Sequence, residues 1–249
     1  MRRPLHQGTA AQAGFTIIEL MIATLIFSLV LILITTGVMQ FTRQYYKGLI
    51  SSKTQNTARS IIDDVGRAIQ FNTGIIYKLT DDPAPLKAAG YCVGETRRYS
   101  FVLNAQVVDD APDTARHQSG HALISDVVSG CSTATPALDP KNPNVLTSLD
   151  PQTNNKLINA RELLGQKMRL SKFVIEEVSG MANTYTITVR VIYGDDELLC
   201  SPSIEGACND RNTVKDELDN ADELMCKSTV GNQFCAVSEL TTTVKKRVN

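Results

Sequence analysis

The sequence predicts an α+β fold: a long N-terminal helix, membrane-spanning in its first half and amphipathic in its second, packed on an antiparallel β-sheet head. Three observations carry this. Residues 20–42 contain no charged side chain. Ala58, Ile61, Ile62, Val65 and Ile69 then recur at helical spacing. Past residue 72 the pattern turns to short alternating runs, the clearest at residues 184–193.

The uncharged run is 23 residues long. As a helix it extends about 35 Å at about 1.5 Å per residue, enough to cross a hydrocarbon core. No proline falls between Pro4 and Pro83, so the helix has no forced break at the outer end of that run. Beyond it, Arg59, Asp63 and Arg67 lie on a different face from the apolar stripe, at i, i+4 steps suited to ion pairs. One helix over about residues 16–72 follows, ending near Gly74. Gly37 and Gly48 are its soft points, each costing about 1 kcal/mol relative to Ala.

Residues 97–104 and the shorter 122–128 read as strands. In residues 184–193, Tyr185, Ile187, Val189 and Val191 fall on one side and Thr186, Thr188 and Arg190 on the other. Residues 168–178 precede them across a turn at 179–183, which predicts an antiparallel hairpin. Residues 132–156 hold four prolines among Asn, Asp, Ser and Thr and read as an extended surface loop. Residues 157–164 read as a short helix, and residues 237–248 as the last strand. The soluble part, roughly residues 43–249, is large enough to bury one core of its own. It shows no internal repeat or low-complexity tract.

Glu19 stands at the start of the uncharged run. An ionised carboxylate there costs on the order of a few kcal/mol unless it meets a partner, and is a functional-site candidate by default. It belongs to the stretch Gly14-Phe15-Thr16-Ile17-Ile18-Glu19-Leu20, preceded by a short polar segment with Arg2 and Arg3. An ordinary secretory signal places an apolar region of about 7–15 residues before a small-residue cleavage site. Here the apolar run is longer, a charge sits inside its start, and the small residues come first.

This segment resembles the leader and cleavage site of type IV prepilins, the family that includes pilins, minor pilins and secretion-system pseudopilins. The resemblance covers about residues 8–35. It implies a leader, residues 1–14, removed after Gly14 by a prepilin peptidase, and N-methylation of the amine thereby exposed on Phe15. In the family that amine pairs with the carboxylate that Glu19 supplies here, commonly across two subunits. A secondary ammonium is cationic at neutral pH, and in low dielectric such a pair satisfies both charges. Residues 15–42 would form the transmembrane and assembly helix, and residues 43–249 a pilin-like head that includes the helix continuation to about residue 72. In one departure, Ala10-Ala11-Gln12-Ala13-Gly14 lacks the Lys or Arg often found close to the cleaved glycine. The long loops and late cysteines resemble a larger minor pilin or J-type pseudopilin. The tip-most pseudopilin class usually lacks this glutamate, so Glu19 implies a neighbour on the membrane-distal side.

Positive charges do not orient the span: Arg2, Arg3 and the initiating amine on one side balance Arg43, Lys47 and Lys53 on the other. The cysteines do. Cys92, Cys131, Cys200, Cys208, Cys226 and Cys235 all lie beyond it, with no Cys-x-x-Cys and no zinc-type spacing. An even set of this kind fits disulfides in an oxidising compartment, which puts the head outside the cytoplasm. Six cysteines allow 15 pairings, and the sequence does not choose among them. Local closure favours Cys226 with Cys235 across a turn at Gly231, and Cys200 with Cys208; Cys92 with Cys131 would close a larger loop.

Other chemistry is sparse. His117 and His121 are spaced i, i+4, but Gly120 opposes a helix there and no H-E-x-x-H pattern occurs, so a solvated loop is expected. Asp210, Asp216, Glu217, Asp219, Asp222 and Glu223 lie between Cys208 and Cys226. They offer hard oxygen ligands, and some pseudopilins bind Ca²⁺ in a C-terminal loop. The EF-hand spacing is missing, and a solvated acidic loop is the better reading. No metal or cofactor is expected. Neither a G-x-S-x-G nucleophile motif nor a Gly-rich phosphate loop is present, and no enzyme activity is expected. The net charge of −1, or −3 without Arg2 and Arg3, and the lack of a basic patch with interleaved aromatics give no sign of nucleic-acid binding.

The expected function is that of a structural subunit, minor pilin or pseudopilin, of a type IV pilus or a type II secretion pseudopilus. Its expected partners are other pilin or pseudopilin subunits, the prepilin peptidase and, before assembly, the membrane. It would begin as a single-pass membrane protein and end in an extracellular or periplasmic filament. A single-pass, membrane-anchored extracellular binding module is the alternative, and it predicts a mature chain that still carries Met1.

Overall fold

Helix α1 runs over Ile17–Phe71 without interruption, through both Gly37 and Gly48. The computed structural model describes residues 14–80, 88–107, 121–128, 130–131, 134, 136–138, 158–201, 208, 223–228 and 231–247. The chain divides into two units, Met1–Tyr45 and Tyr46–Asn249. In the first, every described residue is exposed. Its five hydroxyl side chains within the uncharged run are all satisfied inside the helix. Thr24 donates to Met21 O, Ser28 to Thr24 O, Thr35 to Leu31 O, Thr36 to Ile32 O and Thr42 to Val38 O, at 2.7–3.0 Å. They therefore add little to the cost of an apolar surrounding.

The second unit is built on the helical stripe. Ile50, Thr54, Ala58, Ile61, Ile62, Val65, Gly66 and Ile69 are its buried positions, spaced three and four apart. Among the described residues ten strands follow: β1 (Ile76–Thr80), β2 (Ala88–Val93), β3 (Arg97–Val102), β4 (Leu123–Val127), β5 (Ile158–Glu162), β6 (Met168–Glu177), β7 (Thr184–Tyr193), β8 (Leu199–Cys200), β9 (Met225–Cys226) and β10 (Ala236–Lys245). They form an antiparallel sheet in the order β1-β2-β3-β4-β5, a second in the order β10-β7-β6, and the pair β8-β9. The segment at Gln106 joins the two larger sheets. Asn104 N donates to Leu170 O at 2.8 Å and Val107 N to Met168 O at 3.0 Å.

One core serves the helix and both sheets. Ala58, Ile61, Val65 and Ile69 meet Tyr91, Tyr99, Phe101 and Leu123 of the first sheet and Leu170, Phe173, Ile187, Val189 and Val191 of the second. Phe173 is its hub, with its ring 5.5 Å from that of Tyr91 and 5.2 Å from that of Phe101, both edge-on. Close approach explains two glycines. A Cβ on Gly94 would lie 2.6 Å from Thr73 O, so only glycine lets the β2–β3 turn sit against the end of α1; Gly94 also has φ +71. A Cβ on Gly90 would lie 2.8 Å from Tyr99 O.

The α+β architecture matches the sequence prediction: one long apolar N-terminal helix, then antiparallel sheets. The β6–β7 hairpin closes through the predicted turn, with Val178 N donating to Thr184 O at 2.8 Å. Several local expectations need correction. Residues 157–164 do not form a helix: β5 occupies Ile158–Glu162, where β4 offers a free edge and Ile124 pairs with Glu162. Of residues 132–156, read as a surface loop, the described Pro136, Ala137 and Leu138 are buried. Leu138 packs with Val102 and Ile124, and Ala137 N donates to Ser100 Oγ at 2.7 Å. The third strand stops at Val102 because Asn104 turns with φ +64. On α1, Arg67 Nε donates to the main-chain oxygen of Asp63 at 3.1 Å rather than to its carboxylate.

Candidate functional site

The start of α1 is a capping box. Thr16 precedes the first helical residue, and Glu19 is the third residue into the helix. Glu19 N donates to Thr16 Oγ1 at 3.3 Å, while Thr16 N and Thr16 Oγ1 donate to Glu19 Oε2 at 3.0 and 2.8 Å. The first helical hydrogen bond follows, from Leu20 N to Thr16 O at 3.2 Å. The carboxylate also sits where the helix dipole favours negative charge. Thr16 is the partner that the sequence reading missed. Its signal was present as Thr-Ile-Ile-Glu, the S/T-x-x-E spacing that opens a helix.

Phe15 is 84% exposed, and the structure brings Glu19 to Thr16 rather than to Phe15. In the unprocessed chain the Phe15 nitrogen is an amide of the Gly14–Phe15 bond and carries no charge. Only Oε2 of the Glu19 carboxylate is used; among the described residues, Oε1 accepts no hydrogen bond. The arrangement is thus a helix start with one carboxylate oxygen spare for a cation from elsewhere. The apolar side chains that follow, from Ile17 and Ile18 to Phe41, are exposed. Among the described residues, α1 is the helix long and apolar enough to cross a membrane.

The six cysteines are joined as Cys92–Cys131, Cys200–Cys208 and Cys226–Cys235, with Cα–Cα distances of 5.6, 5.1 and 5.8 Å. The first ties β2 to the segment after β4. The third ties β9 to the start of β10 across Gly231, whose φ is +105.

A polar cluster lies under the end of α1. Asp64 accepts hydrogen bonds from Tyr99 Oη at 3.0 Å and Arg161 Nη2 at 3.1 Å, and Arg97 Nη2 lies 3.7 Å away. Arg67, Arg97, Arg161 and Asp64 line an open recess of about 550 Å³. Burial, reinforced by the Asp64 charge, holds the Tyr99 phenol well above its usual range.

His117 and all the acidic residues from Asp210 to Asp222 lie outside the described residues. His121 Nδ1 lies 3.5 Å from Glu162 Oε2. Glu223 pairs with Arg190, which also reaches Glu239 at 3.3 Å.

A family model described as the prokaryotic N-terminal methylation motif matches residues 9–35. It thus covers the start of α1, the capping box and the first part of the uncharged run. No curated protein and no solved structure matches the chain.

Proposed function

We propose that this type IV prepilin-like protein is a minor structural subunit of a type IV pilus or of a type II secretion pseudopilus. The observation that carries the reading is a single carboxylate, Glu19, at the head of a helix whose next 23 residues bear no charge and whose hydroxyls are all satisfied internally. The methylation-motif match over residues 9–35 supports it, as does the pilin-like succession of one long apolar helix and antiparallel sheets.

In this reading the chain divides into a leader of residues 1–14, a membrane and assembly helix of residues 15–42, and an extracytoplasmic head of residues 43–249. Prepilin peptidase cuts after Gly14, and the new amine on Phe15 is methylated. The ammonium of one subunit then meets the spare Oε1 of Glu19 on a neighbour. Apolar helices packing side by side give little directional preference, so the one ion pair in a low-dielectric setting fixes axial register. The three disulfides suit a head that lies in an oxidising compartment.

Mass and N-terminal sequence of the mature protein test this directly. Methylated Phe15 as first residue is the expected result. A mature chain that retains Met1 and Arg2 would leave a membrane-anchored binding module in its place.

A further inference from the structure

Three arginines from three elements meet at one recess of the head. Arg67 comes from α1, Arg97 from the start of β3 and Arg161 from β5, and with Asp64 they line an opening of about 550 Å³. β4 lies between the two strands: Arg97 pairs with Val127 on it and Arg161 with Ser125, two residues apart. Arg161 Nη2 and Arg97 Nη2 lie 3.1 and 3.7 Å from the same Asp64 oxygen, Oδ1, so the two guanidinium groups are close enough to hold one small anion. All three arginines are open to solvent: the side chains of Arg97 and Arg161 are 30% and 62% accessible, and Arg67 is exposed.

The charges in this recess do not balance. Among the described residues Asp64 is its one carboxylate, and Arg97, Arg161 and the Tyr99 hydroxyl share it. Arg67 forms no ion pair among the described residues: its Nε donates to the Asp63 main-chain oxygen, and both Nη groups are unengaged. Asp126, the other acid close to Arg97, is already paired with Arg98. Two positive charges are therefore in surplus. Like charges gathered in one place repel, and an anion seated among them turns that cost into attraction. Guanidinium forks match phosphate oxygens in shape as well as in charge, and the exposed Ser60 and Thr96 add hydroxyl donors to the lining. A phosphate monoester carries about −1.5 to −2 at neutral pH, which meets the surplus; one carboxylate does not. The opening exceeds the about 300 Å³ at which small-molecule sites begin, so an organic group has room beside the phosphate.

We propose that the recess lined by Arg67, Arg97 and Arg161 binds the phosphate monoester of a small polyol. Arg97 and Arg161 hold the phosphate from the sheet and Arg67 holds it from the helix. Asp64 keeps the two strand arginines in place, and the hydroxyl-bearing side chains suit a hydrophilic ester group. The site lies wholly within the second unit and is independent of the filament reading.

The test is isothermal titration calorimetry on the full chain, kept soluble in a non-ionic detergent, with glycerol phosphate, inorganic phosphate and malonate as probes. Wild type is expected to bind glycerol phosphate saturably at one site. Arg67→Gln and Arg161→Gln are each expected to weaken that binding about tenfold, the loss of a charge-assisted contact. Lys78→Gln, the same change of charge at an exposed position outside the recess, is expected to leave it unaltered. Arg67 makes no bond to Asp64, so Arg67→Gln keeps the contacts that join helix and sheet and decides the matter should Arg161→Gln fail to fold. Absence of saturable binding, unchanged affinity in Arg67→Gln, or an equal loss in Lys78→Gln overturns the proposal. Malonate bound as tightly as glycerol phosphate overturns the choice of phosphate, and inorganic phosphate bound more tightly than the ester overturns the choice of ester.

Discussion

The hydroxyl of Tyr99, on β3, donates a 3.0 Å hydrogen bond to the carboxylate of Asp64, on α1. Tyr99 is fully buried, so this bond ties the helix to the five-stranded sheet at the edge of the core. Asp64 accepts Arg161 as well, and one acid thereby links three elements of the head: α1, β3 and β5.

Tyr99→Phe is expected to lower head stability by about 0.5–1.5 kcal/mol, the net value of one internal hydrogen bond. The same residue predicts a pH dependence. Burial raises the Tyr99 pKa in the folded chain, so its contribution is fully present below the unfolded tyrosine value near 10 and is lost as pH rises above it. Tyr91 and Lys167, also raised, act in the same direction. Urea unfolding followed by circular dichroism between pH 8 and 11 should show a falling midpoint that is shallower in Tyr99→Phe. An identical slope in the two proteins would refute the assignment.

Arg98 and Asp126 form a buried ion pair across β3 and β4, with Nε donating to Oδ1 at 2.9 Å. Removing one partner leaves a buried charge without its counter-charge, so Asp126→Ala is expected to cost about 3–5 kcal/mol. Replacing both, as Arg98→Met with Asp126→Leu, is expected to be close to neutral or stabilising. Urea midpoints of the single and double variants decide between this and a simple loss of packing, which would make the double variant the worse of the two.

The disulfides should rank by the loop that each closes. Cys92–Cys131 spans a separation of 39 residues and Cys226–Cys235 one of 9. Chain entropy gives about 4 kcal/mol for the longer loop and about 3 kcal/mol for the shorter. Paired Cys→Ala variants, compared by thermal unfolding, should follow that order.

Glu19→Gln and Glu19→Ala separate the observed capping role of this side chain from its proposed role in assembly. Glutamine keeps the capping geometry with Thr16 and removes the charge; alanine removes both. Both variants are expected to enter the membrane and lose the leader, yet be missing from sheared filaments. Incorporation of Glu19→Gln at wild-type level would show that capping alone suffices.

Periodicity revealed what repeats, and little else. The helix was legible because Ala58, Ile61, Ile62, Val65 and Ile69 mark one face, and β7 because Ile187, Val189 and Val191 alternate with polar residues. β5 was not, because Leu157, Ile158, Leu163 and Leu164 fit a helical spacing as well; the edge of β4 decides the matter from 30 residues away. Strands β1 and β2 are short and carry too few alternations to register, and the five-stranded sheet depends on both. At the candidate site, Glu19 announced itself by its charge within an apolar surrounding. Asp64 and Arg161 did not, since a charged residue on a helix or strand acquires meaning only when the fold brings others to it.

The exposed apolar side chains from Ile17 to Phe41 mean that the first unit has no stable setting in water. Lipid tails and the matching side chains of a neighbour are about equally apolar, so passage from one to the other is close to level in free energy. Small biases then govern direction, such as the proposed ion pair at Glu19 or a tighter fit between helices. In the filament proposed above, a fibre joined through such a surface would be poised for disassembly as much as for growth.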